Sequence, residues 1–279
     1  MKVLTAKLDK IAGDLEAIGL ERLAEDIDAV SNALENVAPP IPVTAKPVTE
    51  LKMKKQPDDV TCGPSCLTSV YDFYGMSIPQ EQVIKTVQQV PGGGTAAVYL
   101  GLHALSMGLK VKIYTYDLLM FDPTWKTLDK EALAAKLLLQ KSIHKEESKF
   151  ESVSDAYIEF LQKGGEISFE EMTKELLSIH FMQGSPIITG LSCTWLYQSS
   201  REFTGPNNIS IMDDIKGEPM GHFVVLHGFD ATDSVMIADP SSSNPFTDEN
   251  SYSLPYNSVC QSIMLGVLTY DANLLVIKK

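Results

Sequence analysis

The side chains best equipped for chemistry lie in two distant parts of the chain. Gln56-Pro-Asp-Asp-Val-Thr-Cys62-Gly-Pro-Ser-Cys66 stands near the front, and Gly221-His222-Phe-Val-Val-Leu226 and Ala238-Asp239-Pro240 stand far downstream. A thiol is a poor nucleophile at neutral pH unless its thiolate is stabilised, and the N-terminus of a helix does this through oriented N–H groups. Cys62 is placed to begin such a helix, since Pro64 is well tolerated in a first turn. Gln56 can fold its side-chain amide back toward Cys62, so that its NH₂ and the Cys62 N–H make a two-donor oxyanion hole. His222 opens an apolar strand and is the candidate base. A tight turn around Asp230 to Ser234 pairs this strand antiparallel with the next, which ends at Asp239 and brings the two within a residue or two of register. Asp239 can then orient one imidazole nitrogen so that the other meets the thiol. These parts together perform acyl transfer through a thiol.

Rival readings of the same residues are weaker. Cys62-x-x-x-Cys66 and His222-x-x-x-x-His227 satisfy loose spacing rules for zinc. An odd separation puts His222 and His227 on opposite faces of a strand, however, and a zinc site leaves Gln56 and Asp239 without a role. His227 reads as a packed or surface histidine, as do His103, His144 and His180. Gly92-Gly-Gly-Thr95 lacks the Lys-Ser/Thr pair of a phosphate loop, and fits either the wall of a peptide groove or a helix-terminating loop. Asp213, Asp214 and Glu218 read as a solvated acidic loop, and Cys66 as a small packing residue. Trp195, Tyr197 and Arg201 read as cleft or core anchors. No metal and no cofactor is expected.

The elements that must position these groups follow from periodicity. Leu8, Ile11 and Leu15, then Leu20, Leu23, Ile27, Val30 and Leu34, recur at helical spacing and predict a two-helix hairpin over 1–37, broken near Gly19. A hairpin this small cannot bury its own apolar stripe, so it is expected to dock on the main domain, on a partner or on a second copy. Prolines from Ala38 to Pro47 predict an extended linker over 38–50. In the domain at 51–279, helices are predicted at Cys62 to Tyr74, Gln80 to Val90 and Ala97 to Met107, with a strand at Lys110 to Tyr116. The stretch at about 128–178 reads as a polar helical insertion on the surface. Later strands are predicted at Pro186 to Leu191, Phe223 to Phe229, Ser234 to Ala238, Ile263 to Val267 and Leu274 to Ile277. A helical half followed by an antiparallel sheet half is an α+β domain.

Composition narrows the partners. The chain of 279 residues is 44% hydrophobic, enough for a substantial core. Its formal charge of −13 argues against nucleic acid and anionic membrane surfaces. The N-terminus lacks the apolar run of a signal peptide, and four irregularly spaced cysteines make no disulfide framework, which places the protein in the cytoplasm.

The ordered Gln56, Cys62-Gly-Pro-Ser-Cys66, Tyr74-Gly75, Gly221-His222-Phe-Val-Val and Ala238-Asp239-Pro240 resemble the bacteriocin-processing, double-glycine leader peptidases of papain-like fold, from about Leu51 onward. Gly190-Leu-Ser-Cys-Thr-Trp-Leu-Tyr197, Arg201-Glu202 and Leu265-Gly-Val-Leu-Thr-Tyr-Asp-Ala-Asn-Leu-Leu275 are similar to a free-standing branch without transporter domains, one sometimes associated with ATP-grasp ligases. The resemblance implies a papain-like fold, with Cys62 as nucleophile, His222 as base and acid, Asp239 as orienting residue and Gln56 as oxyanion donor. It implies a peptide or protein substrate and, by resemblance only, an ATP-grasp ligase partner. The expected function is a cysteine peptidase or peptidase-like amide hydrolase. The alternatives are an acyl-transferring, crosslinking enzyme of the same chemistry and a non-catalytic papain-like binding module.

Overall fold

The computed structural model describes residues 2–35, 48, 51–91, 93–144, 148–205, 210–269 and 271–279. The stretch read as a linker lies outside the described residues, apart from Val48. The chain divides into two units, Met1–Thr44 and Ala45–Lys279.

In the first unit, α1 (Lys2–Ala17) and α2 (Glu21–Glu35) flank Gly19, whose φ of +77° reverses the chain where a side chain would be strained. Among the described side chains the buried positions are small: Ala12, Ala24 and Ser31, with the Ser31 hydroxyl donating to Asp9 at 2.6 Å. Small side chains let two helices lie close. The larger apolar residues Ile11, Ile18, Leu20, Leu23 and Val30 stay exposed.

The second unit begins with α3 (Cys62–Phe73), α4 (Gln80–Thr86), α5 (Ala97–Ser106) and β1 (Lys110–Thr115). A 3-10 turn precedes α6 (Lys130–Ile143), α7 (Ser148–Gln162), β2 (Glu166–Ser168) and α8 (Lys174–Met182). Then follow β3 (Ile187–Ser192), α9 (Cys193–Tyr197), β4 (Glu202–Thr204), β5 (Ser210–Met212), β6 (Gly221–Phe229), β7 (Ser234–Ala238), β8 (Ser251–Pro255), α10 (Tyr256–Leu265) and β9 (Asn273–Lys278). Seven strands form one sheet in the order β2-β1-β9-β3-β6-β7-β8, antiparallel except where β1 meets β2. The pair β4-β5 stands apart from it.

Alternation along β6 divides its side chains between two cores. Phe223 and Val225 join Leu67 and Val70 of α3, Leu100 of α5 and Phe160 of α7. Val224 and Leu226 join Leu177 and Phe181 of α8 and Val259 and Ile263 of α10. Fully burying one such side chain stabilises the fold by roughly 1.5–3 kcal/mol, so both faces are well secured.

The sequence reading needs three corrections. The helices over 128–178 are present, but they are not a surface appendage: Leu133, Leu137, Phe150, Val153, Tyr157 and Phe160 belong to the first core. Their charged residues lie on the outer faces of amphipathic helices, and charge density hid the inner stripe. Ile263 to Val267, read as a strand, is the end of α10 and the 3-10 turn Gly266–Thr269. Val259 and Ile263, one turn apart, both face the core, and a short apolar run does not tell helix from strand. Finally, α4 stops at Thr86 rather than Val90. Val87 is extended, and both it and Val90 are buried.

Candidate active site

Helix α3 starts at Cys62, as its sequence predicts, with Thr61 before it making no side-chain cap. The N–H groups of a first helical turn lack intrahelical acceptors and point out of the helix end. Gly63 to Tyr71 are all buried. The polar members satisfy themselves: the hydroxyls of Ser65, Thr68 and Ser69 donate to the carbonyls of Thr61, Pro64 and Ser65, one turn back. This internal pairing lets a helix rich in hydroxyls sit in the core.

Two contacts set the helix against β6. A Cβ on Gly63 would stand 2.5 Å from Thr95 Cγ2 and 3.3 Å from both Leu100 Cδ1 and Phe223 Cδ2, so only glycine fits. One turn on, the Cys66 thiol donates to the Phe223 carbonyl at 3.3 Å. Both fix the start of α3 beside Phe223, the neighbour of His222. On the opposite side, β6 enters at Gly221, paired with Ser192, where Thr269 leaves no room for a side chain.

His222 is buried and donates from Nε2 to Asp239 Oδ1 at 2.8 Å. The register places Val225 opposite Ala238, so the two residues are diagonal neighbours on one face, within the offset read from the sequence. With Nε2 committed to Asp239, the ring nitrogen left over is Nδ1, and Cys62 stands near enough to the imidazole to help hold its proton. Burial opposes charge on the ring, but Asp239 and Cys62 outweigh it and raise its pKa to about 10. Asp239 is fully buried; desolvation pushes its carboxyl up, yet His222, Tyr197 and the Ser241 N–H together hold it below the ordinary value.

Gln56 is tied to the same corner by its backbone, whose N–H donates to the Pro240 carbonyl at 2.9 Å. Its side-chain Nε2 donates to the Asp58 carbonyl at 2.8 Å, and its Oε1 is buried with no partner among the described residues. One N–H of that amide is thus engaged locally, and an amide nitrogen carries two.

The other residues singled out in the sequence fall elsewhere. Pairing on β6 jumps from Leu226–Ile237 to Gly228–Met236, which makes His227 the extra residue of a bulge; strict alternation ends there. Burial lowers the His227 pKa, and among the described residues neither of its ring nitrogens has a hydrogen-bond partner. His103 bonds Tyr71 and Thr86, and His180 bonds Tyr114. Among the described residues, no three of His, Cys, Asp or Glu are grouped to hold a metal. Asp213 accepts from the Ile215 and Lys216 N–H groups of its own turn. Gly93 and Gly94 have positive φ, and the loop they turn delivers Thr95 against Gly63. Sequence reasoning missed Tyr252, and it placed Tyr197 only as an anchor; both hydroxyls donate to Asp239 Oδ2 at 2.7 Å. No local pattern marks Tyr252, because its partner is reached only through the β7–β8 pairing.

A helix-borne thiol meeting a strand-borne imidazole, on this α+β frame, relates the protein to papain-like cysteine peptidases. More narrowly, the chain belongs to the Peptidase_C39 like family, whose family model matches residues 48–259. No curated protein matches the chain.

Proposed function

We propose that the protein is a cysteine peptidase or peptidase-like amide hydrolase. In this reading Cys62 attacks a carbonyl carbon, and a carbon–sulfur bond forms as the carbonyl oxygen gains charge. The Cys62 N–H at the helix start and the second Nε2 hydrogen of Gln56 receive that oxyanion. His222 enters the cycle protonated, since its pKa stands near 10, and gives its proton to the leaving amine as the carbon–nitrogen bond breaks. Neutral His222 then takes a proton from water, whose oxygen displaces the Cys62 sulfur as thiolate from the acyl carbon, releasing the acid and restoring the starting pair. Asp239 keeps the imidazole turned toward the sulfur throughout.

The observation that carries this reading is the His222 to Asp239 bond at 2.8 Å, with Cys62, the first residue of α3, acting on the same imidazole. The substrate class follows the leader-peptidase resemblance: an extended peptide or amide. The test is incubation of the folded protein and its Cys62→Ala variant with a mixed peptide library, read by mass spectrometry. Cleavage by the first and none by the second supports the reading, and equal cleavage by both sinks it. Repeating the reaction with added glycinamide shows whether water or an amine takes the acyl group.

A further inference from the structure

Asp239 receives more hydrogen bonds than a carboxylate needs merely to orient a histidine. His222 Nε2 and the Ser241 N–H donate to Oδ1 at 2.8 and 2.9 Å, and the hydroxyls of Tyr197 and Tyr252 donate to Oδ2 at 2.7 Å each. A carboxylate offers about four lone-pair sites, so this one is saturated. The two tyrosines arrive from separate elements, Tyr197 from the last residue of α9 and Tyr252 from the outer strand β8. Phe246 contacts both rings, with centroids 6.0 and 4.6 Å away, and Tyr197 lies 6.1 Å from the His222 ring. Packing alone would be served as well by phenylalanine; two hydroxyls converging on one buried oxygen are not explained by it.

We propose that Tyr197 and Tyr252 are positioning residues for the candidate site, an inference that rests on the reading of Cys62 and His222 as the reacting pair. As joint donors to Oδ2 they keep Asp239 ionised and fix its plane, so that Oδ1 alone meets His222 and Nδ1 is presented to Cys62. They also draw negative charge away from Oδ1, so His222 releases its proton more readily than it would beside a carboxylate with a bare Oδ2. The leaving amine needs that release.

The other titratable groups facing the pair are Cys62 and Cys66 on α3 and Cys193 at the start of α9. Burial raises Cys66 well above its ordinary value and Cys193 to about 12, so neither changes charge in the neutral range. Burial and the Asp239 charge push both tyrosines upward, and they remain donors.

The test follows the His222 ring nitrogens by NMR in ¹⁵N-histidine protein, from about pH 6 to about pH 11, with His222→Gln to assign the signals. Tyr197→Phe and Tyr252→Phe keep the rings and remove only the donors. Each is expected to raise the His222 midpoint by roughly half a pH unit, and the double variant by about one, since a bond to a charged group is the interaction lost. A midpoint that stays put, or falls, in both single variants overturns the proposal. No substrate is used, so an unmoved midpoint counts against this inference alone. Hydrolysis surviving Cys62→Ala counts against the catalytic reading alone.

Discussion

Replacing Asp239 by asparagine keeps the shape of the buried dyad and removes its charge. In the wild type the His222 pKa stands near 10, against about 6.5 for an unperturbed histidine. The stability this group contributes is therefore present in full below about pH 6.5 and is lost as pH rises through about 10. At pH 7 the difference corresponds to roughly 4 kcal/mol, at about 1.36 kcal/mol per pH unit, and near pH 10 to less than about 1 kcal/mol. In Asp239→Asn only Cys62 is left to oppose burial at the imidazole, so the His222 pKa falls and the contribution shrinks. Asp239 itself is held low, so its stabilisation is present above about pH 3.9 and lost as pH falls through its lower folded value. That is the same interaction seen from the other partner, and the two are not added. Urea unfolding of both proteins measures the gap. It is expected to be at most about 4 kcal/mol at pH 7 and to close toward pH 10. A gap equal at both pH values, or none at pH 7, refutes the reasoning.

Three further outcomes are expected. Gly63→Ala, which sets a Cβ 2.5 Å from the short Thr95 side chain, should cost about 1–3 kcal/mol in urea unfolding and slow alkylation of Cys62 by displacing the first turn of α3. In the folded protein at about pH 8, iodoacetamide should modify Cys62 well before Cys66 or Cys193, whose thiols burial keeps protonated; peptide mass spectrometry reads the order, and early labelling of Cys66 would contradict the packing described. Phe160→Ala in α7 should cost about 3–5 kcal/mol, since its ring is fully buried against Gly101 and Gly165; a loss below about 1 kcal/mol would return the 128–178 stretch to the surface.

What could be read from the sequence was local. The start of α3 was legible because Gly63-Pro64 after Cys62 is a first-turn signature, and the His222–Asp239 encounter because two apolar runs with one short turn allow few registers. The fit of α3 against β6 was not legible: it depends on a missing Cβ at Gly63 meeting Thr95, and on Cys66 reaching a carbonyl far along the chain. Tyr252 was invisible for the same reason, since its strand pairs into the sheet only after β7 is placed. The local bond from the Gln56 amide to Asp58 was not legible either, because it reflects loop geometry that spacing does not encode.

The place of β9 bears on when the candidate site can assemble during synthesis. This strand follows every other in chain order yet lies between β1 and β3, joining β2-β1 to the strands that carry His222 and Asp239. Until residue 278 has emerged, β1 and β3 each present an open edge where β9 belongs. Helix α3 packs on β6 and contributes to the same core as Leu275 and Ile277 of β9. Contacts of such long sequence separation form late, and a nascent chain holding only the first two hundred or so residues has Cys62 without its imidazole. On the proposed reading, Cys62 and His222 are brought together only when the frame around them is closed, and a ribosome-stalled fragment lacking β6 would hold Cys62 without that partner.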